Sequence, residues 1–172
     1  MKSLDFEPKK TTEKFRSNYK LHDLAESAGK NLLVQFGFDF MSFGEDRRYE
    51  KVWEKGEDKP DIIIDYNGKK LLLDWKGKHK AKWIVNKRAI DSYQKWSAEL
   101  NLPIMIAFFV FSNKNKLTDR RFAVLNLHEY KESKSREWDK NKTVRFSDSL
   151  PLFNGPNIIN FFTNDYSGLI SK

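Results

Sequence analysis

The sequence contains no cysteine, so a disulfide framework, a thiolate metal site and a cysteine nucleophile are all excluded, and a reducing cytoplasmic setting is expected. Long apolar runs are missing too. None approaches the ~20 residues that span a bilayer, and the opening MKSLDFEPKKTTEKFR lacks the apolar stretch of a signal peptide. No membrane partner is therefore expected. Histidine is scarce, and His22, His79 and His128 show no His-x-x-x-His spacing of the zinc-binding kind. A Gly-rich phosphate loop ending in Lys-Ser or Lys-Thr is absent, which argues against ATP-driven work. Internal repeats and low-complexity tracts are also lacking.

What is present suits a folded domain. The 172 residues are enough for one core and few for two. Large side chains to fill it are plentiful, with 14 Phe and 5 Trp. Lys and Arg number 32 against 24 acidic residues, a net charge of +8. That excess fits a polyanionic partner or a soluble surface that happens to be basic, and composition leaves both open.

Along the chain, residues 1–17 read as a charged arm or short leading helix, residues from about 19 to 128 as the core, and 129–172 as an extension. Leu21, Leu24, Ala25, Ala28, Leu32 and Phe36 recur at helical spacing, and Gly37 supplies a stop. Alternation over Phe38 to Phe43 suggests a strand; the polar GEDRRYEKVWEKGEDKP that follows has no definite form. DIIIDY-NG-KKLLLDW then reads as a hairpin around Asn67-Gly68. The basic GKHKAKWIVNKR reads as irregular. It leads into a helix from about Lys87 to Leu100 that Pro103 prevents from continuing. IMIAFFVF (104–111) has the length and apolarity of a strand covered on both faces. SNKNKLTDRR reads as a connection, RFAVLNLHEY as another strand, and a short strand is expected over Val144 to Phe146. This order indicates an α/β domain with a mixed central sheet flanked by helices.

A two-residue Asn-Gly loop pins the hairpin register. Asp65 then faces Lys70, an ordinary cross-strand ion pair, and Asp61 faces Asp74 at the far end. Opposed residues have Cβ atoms about 5 Å apart, and like charges there are unfavourable. Two such carboxylates must share a proton, find water or bind a cation, and Mg²⁺ suits them because it leaves room for water and a phosphate. Alternation points Lys76 to the same face as Asp74.

Pro60-Asp61, followed after the hairpin by Asp74-Trp75-Lys76, resembles the signature of the PD-(D/E)xK nuclease superfamily, which includes restriction endonucleases and archaeal-type Holliday junction resolvases. The similar region runs from about Leu21 to Phe111 and has the family's helix, strand, hairpin, helix, strand order. The resemblance implies a restriction-endonuclease-like fold and a metal-dependent endonuclease. In it Asp61 and Asp74 bind Mg²⁺, with Mn²⁺ as a substitute, the Trp75 carbonyl is a further ligand, and Lys76 orients or activates the attacking water. Glu26, in LAESAGKNLLVQFGF, is similar to the family's first-helix glutamate and could reach a metal-bound water; a solvated glutamate is the other reading. Gln94 stands where some relatives carry Gln-x-x-x-Tyr, but position 98 is Ala98 and the motif is incomplete.

Lys78, Lys80, Lys82, Lys87 and Arg88 cluster after the motif with His79 and are candidate phosphate contacts. Trp83 is either a base-stacking aromatic or a core residue. Lys114, Lys116, Arg120 and Arg121 form a second basic set. DNA is the expected partner, and symmetric cutting would call for a homodimer, for which the apolar C-terminal tail is available. The rival readings are a non-catalytic nucleic-acid-binding module on the same scaffold, and an interaction protein that docks a partner through FNGPNIINFF.

Overall fold

The Asn67-Gly68 reversal sets the register of the central sheet. Asn67 (φ 51) and Gly68 (φ 84) both adopt the left-handed conformation that a type I′ turn requires. Strands β2 (Ile62–Tyr66) and β3 (Lys69–Lys78) pair as expected, from Tyr66 opposite Lys69 to Ile62 opposite Leu73. Asp65 does face Lys70, but its carboxylate accepts the Gly68 N–H at 2.9 Å, so it braces the turn. The computed structural model describes residues 8–43, 58–136 and 141–169.

Strand β1 (Asp39–Ser42) flanks β2, while β5 (Ile104–Phe111) runs parallel to β3 and β6 (Leu117–Val124) closes the far side. The result is a mixed five-stranded sheet in the order β1-β2-β3-β5-β6. A parallel neighbour needs a crossover, and the chain makes it through β4 (Ile84–Asn86) and helix α2 (Lys87–Leu100), which Asn86 caps by accepting the Arg88 N–H. All of β5 is buried. Its alternate residues Met105, Ala107, Phe109 and Phe111 pack under helix α1 (Pro8–Phe36), and Ile104, Ile106, Phe108 and Val110 pack under α2. The expected α/β architecture, a mixed sheet flanked by helices, is thus present.

Several expectations need correction. Of the two readings for residues 1–17 the helix holds from Pro8, but it runs on unbroken into the first core helix instead of standing apart, and residues 1–7 lie outside the described residues. So do residues 44–57 of the polar stretch. GKHKAKWIVNKR is not wholly irregular: β4 pairs with β8 (Thr143–Phe146), and β8 with β7 (Tyr130–Glu132), in a second, three-stranded sheet. Strand β6 starts at Leu117, inside the expected connection, and stops at Val124, shortly before Asn126 turns left-handed (φ 72). Helix α3 (Gly155–Asn160) and the π-helical turn Phe161–Asp165 insert Phe153, Ile158, Phe161 and Phe162 into the α1-side core, each 2% exposed or less. The Phe-rich end is therefore spent internally and is not the open apolar surface that partner docking or a homodimer was expected to use.

Helix α1 lies unusually close to β3. A Cβ on Gly77 would stand 2.2 Å from the Leu21 carbonyl oxygen, and one on Gly29 would stand 2.2 Å from the Trp75 ring. Backbone cannot yield at such distances, so the glycines let helix and strand touch. Gly77→Ala is expected to lower stability by about 2–3 kcal/mol, measured by urea unfolding; an unchanged midpoint would mean that α1 does not rest on β3.

Candidate active site

The site forms where β2 has not yet begun. Asp61 donates its N–H to the Leu73 carbonyl at 2.9 Å and accepts the Phe43 N–H on its own carbonyl at 2.8 Å. Leu73 is already the partner of Ile62, so Asp61 steps out of the ladder in the manner of a bulge. Its side chain takes the place of the missing strand, and Oδ2 accepts the Trp75 N–H at 2.8 Å. The face-to-face ladder pair expected for Asp61 and Asp74 is accordingly replaced by a carboxylate lying beside β3, at the strand's own hydrogen-bonding edge. A strand residue turns its N–H and C=O to the same side, so the Trp75 carbonyl shares that edge.

Asp74 has the alternation phase of Leu72 and faces α2. It is only 4% exposed. Lys76 Nζ stands 2.9 Å from Asp74 Oδ2 in a buried ion pair. Lys76 also donates to the Tyr93 hydroxyl at 3.1 Å. That hydroxyl, on α2, lies near enough to the Asp74 carboxyl to favour its ionised form.

From the α1 side comes His22, whose Nε2 lies 3.2 Å from Asp61 Oδ2 and 3.3 Å from Oδ1. Its Nδ1 is 3.9 Å from Glu26 Oε2, and Glu26 Oε1 accepts from Lys30 at 2.7 Å. Glu26 therefore stands one side chain away from Asp61, with His22 between them. Neither His22 nor Tyr93 was expected here from the sequence. The signals existed: His22 precedes Glu26 by one helical turn, and Tyr93 lies on the inner stripe of α2.

The two acids are pushed apart electrostatically. Burial drives the Asp74 carboxyl up to about 6, assisted by the Asp61 charge and opposed by Lys76. Burial acts on Asp61 in the same sense, but His22 and the Trp75 N–H outweigh it and hold that carboxyl below the usual range. The hydrogen bond to Asp61 raises His22 despite its partial burial. Lys76 is raised because Asp74 and Tyr93 overcome the effect of burial.

The expected substrate contacts divide. Lys80 and Lys82 are exposed, as is Arg88, which pairs with Asp58 at 3.2 Å. Lys87 is engaged by Asp91 and by Glu132. Lys78 turns inward to the Ile84 carbonyl at 2.7 Å, and burial pulls its ammonium down to about 8. It is corrected from a surface contact to an internal one. Trp83 is 3% exposed and packs on Phe108, so the core reading holds and base stacking does not. His79 Nδ1 meets the Phe111 carbonyl at 3.2 Å. Gln94 turns to the Tyr130 hydroxyl at 3.5 Å, away from Lys76. In the second basic set, Arg120 and Arg121 hold the carbonyls of Phe153 and Leu150, while Lys114 and Lys116 are exposed.

No helix among the described residues is long and apolar enough to cross a membrane. No protein-family model matches the chain, and neither does any curated protein. Among solved structures it is similar to Archaeoglobus fulgidus Hjc, a Holliday junction resolvase from an archaeal hyperthermophile, at 13% identity and a TM-score of 0.40 over 67% of this chain and 86% of that one.

Proposed function

We propose that the chain is a metal-dependent nuclease that hydrolyses phosphodiester bonds of nucleic acid, with DNA as its target. One observation carries this reading: Asp74, only 4% exposed, and Asp61 are two carboxylates brought side by side, with the Lys76 ammonium 2.9 Å from Asp74 Oδ2 as the cation at that acid. Two acids held together in this way are what a divalent cation would neutralise. The donors are all hard oxygens, so the residues fit Mg²⁺, or Mn²⁺ in its place. Asp61, Asp74 and the Trp75 carbonyl would hold the ion, as the Pro-Asp and Asp-x-Lys resemblance also implies.

Once bound, the ion supplies a Lewis acid that polarises the phosphoryl group and acidifies water. The protein's own groups do the positioning. Asp61 is immobilised by the Trp75 N–H, so its free lone pairs point in a fixed direction. Lys76 keeps an N–H donor at the edge of the acidic pair, where it can hold a water in line with the scissile bond. Lys80 and Lys82, exposed after β3, and Arg88, exposed on α2 and paired with Asp58, would take up backbone phosphates.

With Mg²⁺, the protein is expected to cleave plasmid or oligonucleotide substrates, and Asp74→Ala and Lys76→Ala each to lower the rate at least about a hundredfold. Binding without cleavage by the wild type would favour the non-catalytic module. Cleavage that survives Asp74→Ala would place the chemistry elsewhere. A panel of duplex, single-stranded, flap and four-way substrates then identifies the target.

A second expectation concerns pH. Because Asp74 is raised, its contribution to the stability of the metal-free protein is present below the ordinary carboxylate range and is lost as pH rises through about 6. Asp61 is lowered, so its contribution has the opposite sign and is lost as pH falls. A cation must displace the Asp74 proton. Its affinity should therefore fall about tenfold per pH unit below 6 and level off above it. Calorimetric titration with Mg²⁺ or Mn²⁺ between pH 5 and 8 checks this, and a pH-independent affinity would rule out Asp74 as a ligand.

A further inference from the structure

We infer that Tyr93 is a positioning residue for this hydrolysis: its hydroxyl, lodged between Lys76 Nζ and the Asp74 carboxyl, determines where the ammonium stands. The role of Lys76 in the reaction rests on the nuclease reading above; its contact with Tyr93 does not. A lysine side chain carries about 2 kcal/mol of rotamer entropy. With 29% of its side chain exposed at the sheet edge, Lys76 could swing into solvent unless something fastened it. The ion pair with Asp74 Oδ2 at 2.9 Å holds the ammonium near the acid but is a single contact, and a single contact leaves the direction of the remaining N–H groups open.

Tyr93 supplies what is missing. It is 1% exposed and wedged in the α2-side core, so its hydroxyl is a fixed point. Lys76 Nζ donates to it at 3.1 Å and stands 5.7 Å from the centre of its ring. The ammonium is thus held at two points, by the Tyr93 hydroxyl and by the Asp74 carboxylate. Two ammonium N–H directions are thereby fixed, and with them the third.

Tyr93→Phe removes the hydroxyl and leaves the buried ring, so the fold should persist and can be verified by thermal unfolding. The variant is expected to lose about tenfold to a hundredfold in kcat with KM within about twofold. In a Lys76→Met background the same change should have no further effect, a non-additivity that a merely structural role would not produce. Nitrogen NMR of the lysine ammonium groups gives a readout that needs no cleavage: Tyr93→Phe should shift the Lys76 Nζ resonance and speed its hydrogen exchange. An unchanged Lys76 signal, or an equal loss of kcat in the Lys76→Met background, would overturn the role of Tyr93 and leave the nuclease reading intact. A wild type that cleaves nothing would defeat the nuclease reading, and the positioning role with it.

Discussion

The hydrogen bond from the Trp75 N–H to Asp61 Oδ2 is the contact on which the site depends. Strand β2 starts at Ile62, so β3 runs past the end of its neighbour and would leave a backbone donor without a partner. Buried amides do not remain unpaired in native proteins. Asp61 resolves this with its side chain, which makes an acid serve as the last rung of the sheet. The same bond helps to keep that acid ionised. Structure and the proposed chemistry are thus tied at Asp61: removing its carboxylate would orphan a backbone N–H and also take away a proposed metal ligand.

Helix α1 completes the arrangement because it can come so close. Leu21 lies against Gly77, and Gly29 lies over the Trp75 ring. Between these contacts, one helical turn apart, sit His22 and Glu26. Contact at Leu21 brings His22 to within 3.2 Å of Asp61. Any side chain at position 77 would lift the helix and draw the imidazole away. The Trp75 indole, buried and meeting Phe109 and Phe153 edge to face, anchors the strand from below. Neighbouring positions of one strand therefore seat the helix and hold Asp61.

The sequence was most legible where local chemistry decides. Asn67-Gly68 dictates its turn, Pro103 keeps α2 from continuing, and the unbroken apolar run of β5 has no place except between two layers. It was least legible where distant segments decide. Strands β4 and β7 have three residues each and become strands only by meeting β8, the short strand expected over Val144 to Phe146, across long separations, so no periodicity marks them. Extending the hairpin ladder to Asp61 was reasonable from register, yet the carboxylate found a backbone amide to satisfy and left the ladder. Lys78 and Trp83 sit in a basic stretch that reads as surface. Both turn inward, Lys78 to the Ile84 carbonyl of β4 and Trp83 onto the Phe108 ring of β5. His22 went unnoticed because its partner Asp61 lies 39 residues away.

The state of Lys76 narrows the chemistry. An amine that burial alone governed would lose its proton easily and could act as a base. Here Asp74 and Tyr93 raise its pKa well above that of a free lysine, so the group stays an ammonium throughout the range in which Asp74 ionises. An ammonium has three donors and no acceptor. It can orient a water or offset charge on a phosphoryl oxygen, but it cannot take a proton from either. Of the two roles that the Asp-x-Lys resemblance allows, orienting and activating, the surroundings of Lys76 favour orienting.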